Sequence, residues 1–168
     1  MNIENTTVED LNAIIELYEC ARSLQKIKGA VVWPQFDKGL VEADIQNKKL
    51  WKITIEDQIA CVWSTTFNDL LIWGERNSEP SVYIHRIAAN PIFKGRNLVG
   101  EIVTWSRNFA RENDKKFVRM DTVGENKGLI TYYQKCGFNF LGLLQLKNTD
   151  GLPAHYHNAT VSLFQITT

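Results

Sequence analysis

The chain has 168 residues, 44% of them apolar, which is enough for one domain with a core and too few for two. Its 19 Lys and Arg balance 19 Asp and Glu, so no global field draws in nucleic acid or an anionic bilayer, and neither is expected as a partner. Cys20, Cys61 and Cys136 are odd in number and lack CxxC pairing, no stretch approaches the ~20 apolar residues of a membrane helix, and the MNIENTTVEDL start is unlike a signal; a reducing cytoplasm is the expected compartment, with no disulfide framework or zinc site.

Thr7 and Asp10 resemble a capping box, and Leu11, Ile14, Ile15, Tyr18 and Ala21 then recur at helical spacing, predicting a first helix over roughly 8–24. Gly29 and Trp33-Pro34 interrupt the pattern, and a second helix is expected around Leu40 to Asn47, so the segment between them is an aromatic-bearing loop. From Leu50 the period becomes two. Trp51, Ile53 and Ile55 share one face, Glu56-Asp57-Gln58 turns, and Ile59, Cys61, Trp63 and Thr65 return as the second strand of a hairpin. A polar stretch, Gly74 to Pro80, precedes a strand from Val82 to Ala89 that Asn90-Pro91 stops.

A glycine turn follows, then a long helix with Leu98, Ile102, Trp105 and Phe109 on one stripe. Phe117 to Val123 reads as a strand, Lys127 to Cys136 as a helix begun by Asn126, and Phe138 to Leu146 and Thr160 to Ile166 as final strands. The strand-turn-helix-strand run from Val82 to Val123 implies one right-handed parallel crossover between antiparallel hairpins. The fold class is α/β (α+β mixed sheet): about six to seven strands, mostly antiparallel, with helices on both faces. With no repeat, low-complexity tract or linker, residues 1–168 are expected to form a single domain.

In RIAANPIFKGRNLVGEIVTW, a strand, a proline stop, a basic glycine turn and a helix N-terminus follow one another. Free N–H groups and the helix dipole suit a pyrophosphate there, Lys94 and Arg96 add full charge, and Gly95 permits close backbone approach. The same letters also describe an ordinary strand-to-helix turn with solvated basic residues.

This segment resembles the cofactor motif of the GNAT acetyltransferases, Q/R-x-x-G-x-G/A after a strand ending like "RIAVNP". Lys94 takes the first motif position, and Asn97 and Val99 the two small-residue positions. Asn tolerates a left-handed conformation, whereas a branched Val99 is expected to narrow the pyrophosphate space; these departures bear on cofactor affinity. NKGLITYYQKCGF resembles the second GNAT signature, an asparagine and then a helix ending in Y-x-x-x-G-F.

The resemblance implies acetyl-CoA as acyl donor; from the cysteine and histidine spacing no metal is expected. The cofactor's pantetheine would lie along a strand splayed from its parallel neighbour. Backbone contacts would come from Ile87, Ala88 and Ala89, the phosphate cradle from Lys94, Gly95, Arg96, Asn97, Leu98, Val99 and Gly100, and a further contact from Asn126. Tyr133 would lie near the sulfur, although Leu129, Ile130 and Tyr133 also fit one core-facing helical stripe.

Acetyl transfer to an amine needs a neutral nucleophile, a stabilised oxyanion and a proton for the departing thiolate. His85, two residues before Ile87 and on the same strand face, is the candidate base, with an ordinary pKa of about 6.5 that suits neutral pH. A sheet histidine with satisfied hydrogen bonds is the alternative. Its position resembles that of a histidine in the arylalkylamine branch. Tyr83 stands where several GNAT enzymes carry a glutamate. Backbone N–H groups near Ile87 to Ala89 would meet the oxyanion, and Tyr133 would protonate the thiolate; Cys136 reads as packing.

Acceptor contacts are expected from Trp33, Phe36, Trp73, Tyr83 and Asp121, though the aromatics equally fill a core and Asp121 equally ends a strand. His155 and His157 form an H-x-H pair without carboxylate or thiolate neighbours and are read as a surface loop. The expected function is N-acetylation of a small-molecule primary amine by a monomer or homodimer. A non-catalytic acyl-CoA sensor is the alternative.

Overall fold

A strand that the patterning does not foretell opens the chain in the computed structural model, which describes residues 1–168. This β1 (Asn2–Asn5) pairs antiparallel with β2 (Leu50–Ile55). The Thr7 N–H donates to Asp10 Oδ2 at 2.7 Å across the expected capping box. A 3-10 turn, Val8–Asp10, intervenes before α1 (Leu11–Ile27), so the helix proper starts and ends three residues later than the periodicity implies. Its end is set by Gly29 at φ +63°, where the Ala30 N–H donates to the Gln25 carbonyl at 3.0 Å, closing a left-handed C-terminal cap.

The second helix, α2 (Lys38–Gln46), begins ahead of its expected start because the Asp37 carboxylate accepts from the Gly39 and Leu40 N–H groups at 2.8 and 3.3 Å. β2 and β3 (Gln58–Thr66) form the expected hairpin, with Glu56 and Asp57 both at positive φ as a two-residue type I′ turn requires. The Gly74 to Pro80 stretch is more ordered than its composition suggests: α3 (Leu70–Trp73) leads into a 3-10 segment, Gly74–Ser78.

β4 (Ser81–Ala89) runs parallel to β5 (Phe117–Val123), with Ser81 opposite Phe117 and Ile84 opposite Met120, and α4 (Leu98–Glu112) is the crossover between them. After α5 (Lys127–Lys135) come β6 (Asn139–Gln145) and β7 (Thr160–Thr167). The seven strands follow the order β1-β2-β3-β4-β5-β7-β6, mixed and mostly antiparallel as expected. No helix is long and apolar enough to cross a membrane.

Two compact units divide the chain: Met1–Thr65 with His85–Leu98, and Thr66–Ile84 with Val99–Thr168. In the first, Ile14, Tyr18, Val41, Leu50, Val62 and Ala88 are buried together, with Trp33 and Phe36 packed against them. In the second, Trp73, Tyr83, Leu146, Val161 and Leu163 form a core cluster. Beside it Arg119, 1% exposed, donates to Gln165 Oε1 at 2.8 Å and to the Arg76 carbonyl at 2.5 Å, and pairs with the Glu79 carboxylate.

Candidate active site

The end of β4 is fixed by Asn90, whose N–H donates to the Ala60 carbonyl at 2.8 Å and whose Nδ2 donates to the Ile59 carbonyl at 3.2 Å. Its Oδ1 accepts from the Ile92 N–H at 3.1 Å and so starts the turn at Pro91–Phe93. Phe93 is buried and anchors that turn, while Lys94, Gly95, Arg96 and Asn97 are all exposed ahead of α4. Gly95 at φ +88° and Asn97 at φ +52° are left-handed, the conformation that Asn adopts most readily among non-glycine residues. Leu98 and Val99 are buried and Gly100 half-buried, so the Val99 side chain lies in packing and not in the solvent of the turn. The exposed turn thus places two full positive charges directly ahead of a 15-residue helix, whose first N–H groups have no partner within the helix, an arrangement that suits a pyrophosphate.

Within β4, His85 and Ile87 are half-buried, Ala88 is buried and Ala89 exposed. The His85 carbonyl accepts from the Ser64 hydroxyl at 3.3 Å. Arg86 between them has φ +53°, a conformation that a residue with a Cβ adopts only under local constraint, and one that re-aims the strand.

Tyr133 lies on the buried face of α5 at 8% exposure, its ring centroid 5.3 Å from Phe164 and 6.0 Å from Phe138. The helix that carries it starts at Asn126, whose Oδ1 accepts from the Leu129 N–H at 3.0 Å. It ends at Gly137, φ +103°, with the Phe138 N–H donating to the Tyr133 carbonyl at 3.1 Å. Asn126 is exposed, and its carboxamide oxygen is committed to the helix cap. Cys136 is half-buried and burial pushes its thiol up, which disfavours a thiolate nucleophile.

The residues expected to meet the acceptor fall into two groups. In the first unit Trp33 and Phe36 come together, ring centroids 5.8 Å apart, against Tyr18. In the second, Trp73 and Tyr83 are buried with ring centroids 5.7 Å apart, and Asp121 accepts from the Tyr156 hydroxyl at 2.9 Å. His155 packs on the Tyr156 ring at 4.3 Å, and burial drops its pKa to about 4; a His157 ring nitrogen lies 3.2 Å from the Leu152 carbonyl. A groove of about 510 Å³ in the first unit, bordered by Glu9, Glu16, Cys20 and Asp57, contains none of the expected site residues.

Sequence reasoning passed over Arg86, Tyr18 and Asp44. Arg86 Nε donates to Ser64 Oγ at 3.3 Å and Nη2 pairs with the Asp44 carboxylate, while its guanidinium stacks 5.4 Å from the Phe36 centroid. The signal available was an arginine inside the apolar run YIHRIAA, where only a charge with partners survives.

Residues 12–138 match a profile described as the acetyltransferase (GNAT) family. The chain is similar to the uncharacterized N-acetyltransferase YesJ of Bacillus subtilis (strain 168), 24% identical over 164 residues, covering 83% of this chain and 88% of that one. A GNAT-family acetyltransferase structure from Listeria monocytogenes superposes with a TM-score of 0.78 at 20% identity, covering 99% of this chain and 94% of that one. The structure of yncA from Salmonella typhimurium with its cofactor acetyl-CoA gives 0.69 at 14% identity, covering 99% and 93%.

Proposed function

The chain belongs to the acetyltransferase (GNAT) family, and from that premise we propose that residues 1–168 act as one domain that acetylates a primary amine of a small molecule. Acetyl-CoA, when bound, supplies the activated acetyl group as a thioester open to direct attack. The observation that carries the reading is the exposed turn of Lys94, Gly95, Arg96 and Asn97 at the head of α4, with both left-handed positions already formed. Lys94 and Arg96 hold the pyrophosphate together with N–H groups at Leu98, Val99 and Gly100. Backbone groups of Ile87, Ala88 and Ala89 align the pantetheine and polarise the reacting carbonyl. Asn126 contacts the cofactor arm through its amide nitrogen, its oxygen being committed to the cap.

His85 removes a proton from the ammonium, which an alkylamine with a pKa of about 10.4 otherwise retains at neutral pH. The Tyr133 hydroxyl delivers a proton to the departing thiolate. No covalent enzyme intermediate is required, in keeping with the raised thiol pKa of Cys136.

Thermal unfolding with acetyl-CoA, CoA, ATP or NAD, followed by thiol release across an amine panel, tests this reading. A ligand at ~100 times its dissociation constant adds about 2.7 kcal/mol, so acetyl-CoA and CoA should raise Tm clearly while ATP and NAD leave it in place. No shift with acetyl-CoA would defeat the proposal. A shift without acetylated product from any amine would leave an acyl-CoA sensor in its place.

A further inference from the structure

Beneath the loop between α1 and α2, two buried polar groups lack hydrogen-bond partners: the Tyr18 hydroxyl, on a residue 1% exposed, and Nη1 of Arg86. They lie under the same rings. The Arg86 guanidinium carbon is 5.9 Å from the Tyr18 centroid and 5.4 Å from that of Phe36, and Trp33 meets the Tyr18 ring edge-on at 6.2 Å. The other arms of the guanidinium are engaged, Nε with Ser64 and Nη2 with Asp44, so its plane is fixed and only the Nη1 donors are uncommitted. Burial holds the Tyr18 phenol up at about 12, which keeps it a donor at any physiological pH.

Leaving such donors unmet is costly, and the positive φ of Arg86 adds local strain, a combination that points to function more than to packing. The cover is itself anchored through the Trp33 backbone. The Trp33 carbonyl accepts from Arg22 Nε at 3.0 Å, and the Trp33 N–H donates to Gln25 Oε1 at 2.9 Å. A planar guanidinium and a phenolic O–H, both short of acceptors and set among the same aromatic rings, match a carboxylate attached to an apolar body.

We propose that Tyr18 and Arg86, with Trp33 and Phe36 as walls, form the acceptor-recognition subsite and select amines that carry a carboxylate, amino acids with an apolar side chain. This rests on the acetyl-transfer reading above and names its substrate class. On binding, the carboxylate takes the Nη1 and Tyr18 donors while Asp44 keeps Nη2, and the apolar side chain replaces part of the Trp33 and Phe36 contact over them.

The test is thiol release with matched acceptors: phenylalanine, phenylalaninamide and phenethylamine, and the corresponding leucine series. Wild type should prefer the acid by about 10–100-fold in kcat/KM, mostly through KM. Arg86→Met should collapse that ratio toward one with the KM for acetyl-CoA unmoved, and Tyr18→Phe, which keeps the ring, should lower it several-fold even where the arginine variant fails to fold. Equal use of acid, amide and amine by wild type overturns the subsite and leaves acetyl transfer standing. An acid preference that survives both substitutions also overturns it. Tight acetyl-CoA binding with none of the amines acetylated overturns this inference and the transferase reading together.

Discussion

Tyr133 packs by its ring and would act by its hydroxyl, so Tyr133→Phe separates the two roles: contacts with Phe138 and Phe164 survive while the proton donor is lost. Turnover at saturating acetyl-CoA should fall about 10²–10⁴-fold with the KM for acetyl-CoA and the Tm nearly unchanged, and an unaltered kcat removes the acid role. In a pH series, His85→Gln should abolish the rise in kcat/KM with pH that a histidine base produces, and a retained rise assigns the base elsewhere. Both candidates rest on an offset from a marker in the sequence, Ile87 along a strand and Gly137-Phe138 after a helix, and the positive φ of Arg86 interrupts the alternation between His85 and Ile87. Arg86 and Tyr18 have no such marker. A positive φ in mid-strand has no letter code outside glycine, and Tyr18 at helical spacing is indistinguishable from any other core aromatic until its hydroxyl is seen to lack a partner.

Elements were legible in proportion to the length of their pattern. The hairpin of β2 and β3, β5 and α5 fell within a residue or so of expectation, since each repeats its period several times and is closed by a recognisable turn or cap. β1, four residues with one apolar side chain, and α3, a single turn, carry too few repeats to show a period; β1 is formed by its pairing with β2. The third residue of β5 shows what alternation conceals. Arg119 reads as a polar position, yet it is fully buried, stacks 4.9 Å from Trp73 and 4.8 Å from Phe117, and donates to Gln165 directly across the pairing with β7. Its only carboxylate partner among these contacts, Glu79, is 46% exposed by side chain and would ordinarily be dismissed as a surface ion pair worth about 0–1 kcal/mol. Because the cation cannot recover water, Glu79→Gln should cost about 1–3 kcal/mol in urea unfolding, and Arg119→Met should cost more by stranding the Arg76 carbonyl and Gln165 as well. A loss below about 0.5 kcal/mol for Glu79→Gln would mean the neutral acceptors alone sustain the guanidinium.

At the scale of the whole molecule, 19 acidic and 19 basic side chains leave no net charge near neutrality, so self-repulsion is a minor term there and the response to mild acid depends on particular groups. His155 is the group the structure singles out. The sequence offered it as half of an H-x-H surface loop, but the ring is partly buried against Tyr156 with Nδ1 enclosed and without a hydrogen-bond partner, and burial lowers its pKa from 6.5 to about 4. The unfolded chain therefore takes up a proton near pH 6.5 that the native state refuses until about pH 4. Stability from keeping this histidine neutral is complete above about pH 6.5 and drains away as the pH falls through that window. His155→Gln, which cannot titrate, should make the drop in urea midpoint between pH 7 and pH 4.5 shallower than in wild type, with little difference at pH 7.5. Both proteins gain the same positive charge elsewhere over that range, so the difference between their curves isolates the imidazole. Curves that stay parallel down to pH 4.5 would show that the ring takes its proton in the native state as readily as in the unfolded chain.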